Sequence, residues 1–406
     1  MVSYQLSGEQ EQLRATVAEF AREVVAPVIG GYYERAEFPY KIVARMGGLG
    51  LFGLPFPEKY GGMGGDLLAL GLALEELARV DSSVAITLEA AVALGAMPLY
   101  RFGSEDQRGQ WLPDLCAGER LAGFGLTEPG GGSDIPGGMR TTARLDGGEW
   151  VIDGTKSFIT NAGTSITSLV TVLAITGERA GAGAGGAADA GLAGAGGAGR
   201  RAEISAIIVP SGTPGFTLGQ KYSKVGWCAS DTRELVFSGC RVPEDHLLGG
   251  RGRGYAQFLE ILDEGRVAIA ALATGLAAGC VDECLRQVAG RTAFGHRLGY
   301  YQGIQFKLAD MEARVHAARL AWYDAAARLT AGEPAKKQAA IAKLTASNGA
   351  MDNARDATQI FGGYGFMNEY PVGRFYRDAK VLEIGEGTSE VQRMIIAREL
   401  GLAGLS

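Results

Sequence analysis

At 406 residues the chain is long enough to bury a large core and to form two or three domains. Its 39 basic and 45 acidic side chains leave a net charge of −6, which excludes the basic footprint of a protein that binds nucleic acid or an anionic membrane. Five scattered cysteines (Cys116, Cys228, Cys240, Cys280 and Cys284) fit reduced thiols better than a disulfide framework.

The opening Met1-Val2-Ser3-Tyr4-Gln5 lacks the charged-then-apolar pattern of a signal peptide, so a cytoplasmic protein is expected. Ser7 and Gln10 have the spacing of a capping box, and Leu13, Val17, Phe20 and Val24 then recur at helical spacing as far as Pro27. A second helix is predicted after Pro39, ending at Gly47-Gly48. A third covers Leu67 to Val80, a central apolar helix covers Val84 to Tyr100, and Ser104 with Gln107 caps one more before Pro113.

At Phe124 the period changes. Segments at 150–154, 168–173, 204–210 and 234–237 are short, β-branched and separated by Gly, Pro and Asp turn signals, which predicts antiparallel strands. From Tyr255 helical spacing returns. The run Val267 to Val281 is too short to span a bilayer and predicts a buried helix. Leu308, Met311, Val315, Ala318, Trp322, Ala325 and Leu329 give one continuous seam, with further helices expected at Lys337 to Ile360 and Val391 to Leu400. The expected organisation is α+β: an N-terminal helical domain (1–122), a middle antiparallel β-domain (123–246) and a C-terminal helical bundle (247–406).

A Gly/Ala-rich stretch at 180–201 interrupts the β-domain and twice matches the G-x-G-x-x-G pattern. No apolar helical period follows either match, so the segment reads as a disordered hairpin extension and not as a dinucleotide fingerprint. His246, His296 and His316 are far apart, and Cys280 with Cys284 lacks partners for a metal site; the two are expected to be structural. A G-x-S-x-G elbow and a phosphate-loop lysine motif are both absent.

Three stretches carry chemistry. Phe124-Gly125-Leu126-Thr127-Glu128-Pro129-Gly130-Gly131-Gly132-Ser133-Asp134, followed by Lys156-Ser157-Phe158-Ile159-Thr160-Asn161, offers hydroxyls and main-chain donors suited to a flat polar ring or a phosphate. Gln359-Ile360-Phe361-Gly362-Gly363-Tyr364-Gly365-Phe366 is a second Gly-rich loop, with Arg374, Arg377 and Asp378 beyond it. The third is Glu383-Ile384-Gly385-Glu386-Gly387-Thr388-Ser389-Glu390-Val391-Gln392. Here one carboxylate stands between glycines, and Ser389 and Gln392 have capping-box spacing for the next helix. Taken alone, Glu386 reads as a solvated loop acid.

Together these motifs resemble the acyl-CoA dehydrogenase family over nearly the whole chain. T-E-P-x-x-G-S-D, F-I-T-N, S-D-T-R at Ser230 to Arg233, R-x-x-F-G at Arg291 to Gly295, Q-x-x-G-G-x-G-F and E-G-T-S stand in the family's order and approximate spacing. The resemblance implies helical, β and four-helix-bundle domains, FAD as cofactor, and a homotetramer. It implies dehydrogenation of an acyl-CoA to trans-2-enoyl-CoA in fatty-acid or branched-chain amino-acid metabolism, with electrons passing to an electron-transfer flavoprotein.

Residue roles follow from the resemblance. Glu386 matches the base that removes the α-proton. Phe124, Leu126, Thr127, Gly132 and Ser133, with Phe158, Ile159 and Thr160, match the flavin-lining segments. Arg291 matches an arginine that grips the pyrophosphate of a neighbouring subunit's FAD, beside Phe294. Gln302, Gln359, Ile360, Gly362 and Gly363 match contacts to the rest of the dinucleotide, as do Thr388 and Glu390. Ser133, Ser230, Asp231, Thr232, Arg233 and Gly387 match positions near the acyl-CoA.

Some relatives carry the base on a helix just before an arginine matching Arg266, but Gly265 stands there in this chain. Phe158 stands where many have tryptophan, which keeps the aromatic face and loses an N–H donor. Gly385 replaces a common tyrosine, which predicts a roomier pocket and a short or branched acyl chain. Glu89 reads as a capped or snorkelling surface acid, with contact to a polar substrate as the alternative. The rival functions are an oxidase that uses oxygen and a flavin-binding homologue acting as a nucleic-acid-binding or stress protein.

Overall fold

The computed structural model describes residues 5–178 and 202–402. The Gly/Ala-rich extension therefore lies outside the described residues. The chain divides into two compact units. One runs to Glu89 and takes in Ser223–Ser230 and the chain from Leu262 onward; the other comprises Ala90–Tyr222 and Asp231–Ile261.

The first unit is helical. Helix α1 (Gly8–Phe20) opens with the Ser7/Gln10 box, each side chain bonded to the other's backbone N–H. Pro27 does not stop the chain: a π turn at Ala21–Val25 precedes α2 (Ala26–Glu34), and the proline sits in its first turn, where a missing N–H costs little. α3 (Tyr40–Gly48) and α4 (Leu67–Ala78) follow, the latter capped by Asp66. α5 (Ser82–Glu89) then carries Glu89 at its end.

The predicted central helix is not uniform. Beyond Glu89 come a π-helical stretch, Ala90–Ala96, α6 (Met97–Phe102) and α7 (Glu105–Cys116), whose Ser104/Gln107 box forms as expected.

In the second unit β1 (Leu121–Gly125), the short α8 (Ile135–Gly138), β2 (Thr142–Asp146), β3 (Glu149–Thr160), β4 (Thr167–Glu178), β5 (Ala202–Pro210), β6 (Phe216–Lys221), β7 (Thr232–Pro243) and β8 (Leu247–Leu248) follow in order. The sheet order is β6-β7-β3-β2-β4-β5-β8, with β1 also on β4. Most pairs are antiparallel, but β1 and β2 both run parallel to β4. Trp150, Ile152, Val170, Val172, Ile207, Val209, Leu235 and Phe237 fill the core beneath it. The β3–β7 ladder slips between Lys156 and Ile159, and this bulge turns Phe158 to φ +64° and out of the pleat.

The apolar run Val267 to Val281 sits inside α9 (Gly254–Gly290), a 37-residue helix, and is not a short span. This helix and Ser82–Phe102 are long and apolar enough to cross a membrane by composition, yet both are largely buried within the protein. After the small β9 (Thr292–Ala293) and β10 (His296–Arg297) come α10 (Gln302–Thr330), α11 (Lys336–Phe361), α12 (Pro371–Leu382) and α13 (Ser389–Glu399). The seam forms on α10, where Met311, Val315, Ala318, Trp322 and Ala325 are buried. α4 meets it at Gly71, where a Cβ would lie 2.5 Å from the Trp322 ring, so the helices approach too closely there for any side chain.

Candidate active site

Glu386 lies in the loop between α12 and α13, with φ +52°, a backbone state that side chains other than glycine adopt at a cost of about 1–3 kcal/mol. What holds the turn is Gly387, whose φ is +91° and whose Cβ would stand 2.7 Å from the Gln392 amide. Gly385 has no such duty: a Cβ there would make only an ordinary contact with the Val381 carbonyl, leaving room where relatives carry a ring.

The helix cap lies one residue earlier than the capping-box spacing suggested. Thr388 is the N-cap and accepts from the Val391 N–H. The Ser389 N–H is already taken by the Glu383 carbonyl, and the Gln392 side chain reaches back to donate to the carbonyls of Gly387 and Glu386. Gln392 therefore acts as a strut for the loop.

The Glu386 residue is half-buried, but its Oε2 is fully shielded and meets no N–H or hydroxyl donor among the described residues. Burial pushes its carboxyl up to about 7, against the lowering effects of the neighbouring Glu89 carboxyl and of the Lys343 and Arg266 cations. Lys343 is fully buried on α11 and donates to the Gly387 carbonyl at 2.8 Å; burial brings its ammonium down to about 8. Arg266 is buried on α9 and pairs with Asp263.

Glu89 is no surface acid. It is completely buried, and Glu386 is the charged group that acts on it. The reason is tertiary: the fold buries α5 along its whole length, the position of Glu89 included.

In the other unit, the end of β1 and the bulge of β3 come together. The Ser157 N–H donates to the Thr127 carbonyl at 2.8 Å, and buried Lys156 donates to Glu128 at 2.7 Å. Burial would raise Glu128, but Lys156 and the N–H groups of Thr141 and Arg140 outweigh it and hold the carboxylate below its usual range. This buried pair fixes the loop that presents Leu126, Thr127, Gly132 and Ser133.

Phe158 stands 64% exposed against Tyr222, with Thr160 half-buried beyond it. An open aromatic face beside hydroxyls and glycines fits a flat polar ring such as the flavin of FAD. Phe124 and Ile159 are buried, Phe124 stacked on Phe258, so only their main chain could meet a ligand.

Asp231 is buried too: it accepts from the Gly163 N–H and from Arg233, whose side chain packs over Gly163. Thr232 starts β7, and Ser230 is buried at the end of its segment.

Arg291 follows α9 with its guanidinium over the Tyr364 ring. Phe294 is 94% exposed at φ +48°, and Gln302 opens α10. Gln359 and buried Ile360 end α11, Gly362 takes φ +61°, and Gly363 faces open space. Glu390 is exposed in the first turn of α13. Asp378 is buried as a structural hub that accepts from Tyr33, Ser82 and the Trp227 N–H.

Comparison with known proteins gives the family. The models for the N-terminal, middle and C-terminal domains of acyl-CoA dehydrogenase match residues 7–119, 123–240 and 252–401. The chain belongs to the acyl-CoA dehydrogenase family. It is 43% identical to a probable acyl-CoA dehydrogenase of Bacillus subtilis, over 98% of this chain and all of the relative. Its fold matches butyryl-CoA dehydrogenase from Megasphaera elsdenii with a TM-score of 0.89 at 38% identity, covering 98% of this chain and 99% of that one. A glutaryl-CoA dehydrogenase from Mycobacterium smegmatis in complex with FADH2 matches at a TM-score of 0.88 and 31% identity, covering 99% and 97%.

Of the two buried side chains that act on Glu386 from neighbouring helices, the sequence reading missed Lys343 and took Glu89 for a surface acid. Lys343 left a signal: a lone lysine in the buried stripe Ala339, Ala342, Ala346, Ala350. Glu89 gave the same one, an acid inside an apolar helix.

Proposed function

We propose that the protein removes the α-proton and β-hydride of a short-chain acyl-CoA to give the trans-2-enoyl-CoA. FAD, when bound, supplies the hydride acceptor. The loop from Leu126 to Ser133 with Phe158 and Thr160 would hold its ring system, and Gln302, Gln359 and Gly363 with Arg291 would serve the rest of the dinucleotide.

The reading rests on one observation: a single carboxylate held in a strained turn, with a shielded, unpartnered oxygen and a proton affinity near neutrality. A general base works best when its pKa is close to the working pH. Removal of a proton next to a thioester needs such a base, because the enolate-like charge that develops is otherwise costly.

The space at Gly385 supports a compact pocket that accepts a short or branched chain, and the likeness to butyryl-CoA dehydrogenase favours the short one. A cytoplasmic homotetramer that passes electrons to an electron-transfer flavoprotein completes the proposal. The nearly bare rings of Phe294 and Phe366 on the first unit favour an assembly that covers them.

The test is anaerobic reduction of the bound flavin by butyryl-CoA. Glu386→Gln should retain FAD and bleach about 10²–10⁴-fold more slowly. Bleaching at the wild-type rate would remove Glu386 from the mechanism.

A further inference from the structure

We propose that Glu89 is a positioning residue for Glu386: in its neutral form it donates its one proton to the Glu386 carboxylate and holds that group ready to accept the substrate's α-proton. This rests on Glu386 being the base.

The geometry supplies the pair. Glu89 closes α5 and is wholly shielded from solvent, and neither of its oxygens meets an N–H or hydroxyl donor among the described residues; the same holds for the shielded Glu386 Oε2. The two carboxyls are within hydrogen-bond reach of each other. As two anions they could make no bond, because neither carries a hydrogen, and two buried like charges would repel without compensation. One proton between them turns both orphaned sets of oxygens into a donor–acceptor pair.

The surrounding charges decide which carboxyl keeps the proton. Lys343 on α11 and Arg266 on α9 both act on Glu386 and favour its ionised form. Neither acts appreciably on Glu89, whose surroundings supply only burial and the Glu386 charge, both of which raise its affinity for the proton. The remaining acids nearby are already engaged: Asp263 with Arg266, Glu383 with Lys380, and Glu390 with Arg393. The proton therefore settles on Glu89 and the negative charge on Glu386. The helix widens into π geometry immediately after Glu89, a distortion often found at functional sites.

Two substitutions of similar volume separate the possibilities. Glu89→Gln keeps an N–H donor toward Glu386, and Glu89→Leu removes it. In anaerobic stopped-flow reduction of the holoenzyme by butyryl-CoA, Glu89→Gln should keep the wild-type apparent pKa of the rising pH limb. Glu89→Leu should raise that pKa by roughly one unit, because a buried carboxylate loses a donor to its charged form. It should also slow reduction about fivefold at pH 7, with recovery toward pH 9.

A wild-type profile in Glu89→Leu overturns the proposal, and so does an equal shift in both variants. Glu386→Gln, run alongside, keeps the two readings apart: if it is inactive while Glu89→Leu is unshifted, only the positioning role fails. Should Glu89→Leu not fold, infrared spectra decide. Wild type at about pH 8 should show the C=O stretch of a neutral buried carboxylic acid that Glu89→Gln lacks, and identical spectra refute the assignment.

Discussion

The Lys343 ammonium donates to the Gly387 carbonyl at 2.8 Å, so the residue after the candidate base is tied to the bundle by a buried cation. That one contact does two jobs. It fixes the turn that forces Glu386 to φ +52°, and it places a positive charge where the Glu386 carboxylate feels it. Lys343→Met keeps the stem and removes both effects. The rising limb of flavin reduction should move to higher pH, with about a tenfold loss at pH 7. Because burial brings the Lys343 ammonium down to about 8, the wild type loses the same charge above that pH, and the two profiles should converge there. A parallel drop at all pH values would show that only the hydrogen bond matters.

Lys156 and Glu128 form a buried ion pair that bears on function, because it anchors the loop from Leu126 to Ser133. Lys156→Met strands a shielded carboxylate and should cost about 3 kcal/mol in urea unfolding, with loss of bound FAD. Lys156→Met combined with Glu128→Gln removes the stranded charge and should recover most of the stability. If the double variant is as unstable as the single one, packing of the lysine stem and not the charge carries the effect.

Much of this was legible in the chain. The change of period at Phe124 located the sheet, and the Ser7 and Ser104 boxes marked their helices because capping is decided by neighbours in sequence. The order of the Gly-rich motifs pointed to Glu386. What stayed hidden depends on distant partners. Ser389 looked like a cap, but its N–H was claimed by Glu383; Glu89 looked like a surface acid, because only the tertiary fold shields both faces of α5. Likewise nothing local to Asp231 shows that the distant Gly163 N–H occupies one of its oxygens while the nearby Arg233 takes the other.

Phe158 offers a test that spares the fold. Its ring is 64% exposed, so Phe158→Ala should leave the unfolding free energy within about 0.5 kcal/mol. If the ring faces the flavin, loss of the aromatic contact, worth about 0.5–1.5 kcal/mol, should weaken FAD binding up to roughly tenfold by equilibrium titration. Phe158→Trp should bind at least as well as wild type. Unchanged affinity in the alanine variant would place the flavin elsewhere.

Stability should also depend on pH through the buried acids. Glu386 is held at about 7 in the folded chain against an ordinary 4.5, so between those values the folded state binds more protons than the unfolded one. Stability then falls as pH rises from about 4.5 to about 7 and levels off above. Glu89 is raised by burial and by Glu386, and Asp81, beside buried Asp378, reaches about 7, so both act with the same sign. Glu386→Gln removes one of these uptakes. Its unfolding free energy relative to wild type should grow between pH 5 and 8 by on the order of 2 kcal/mol, allowing for the partial exposure of the residue. A difference that stays flat across that range would mean the Glu386 carboxyl titrates as it does in the unfolded chain, and that its loop does not shield it from water.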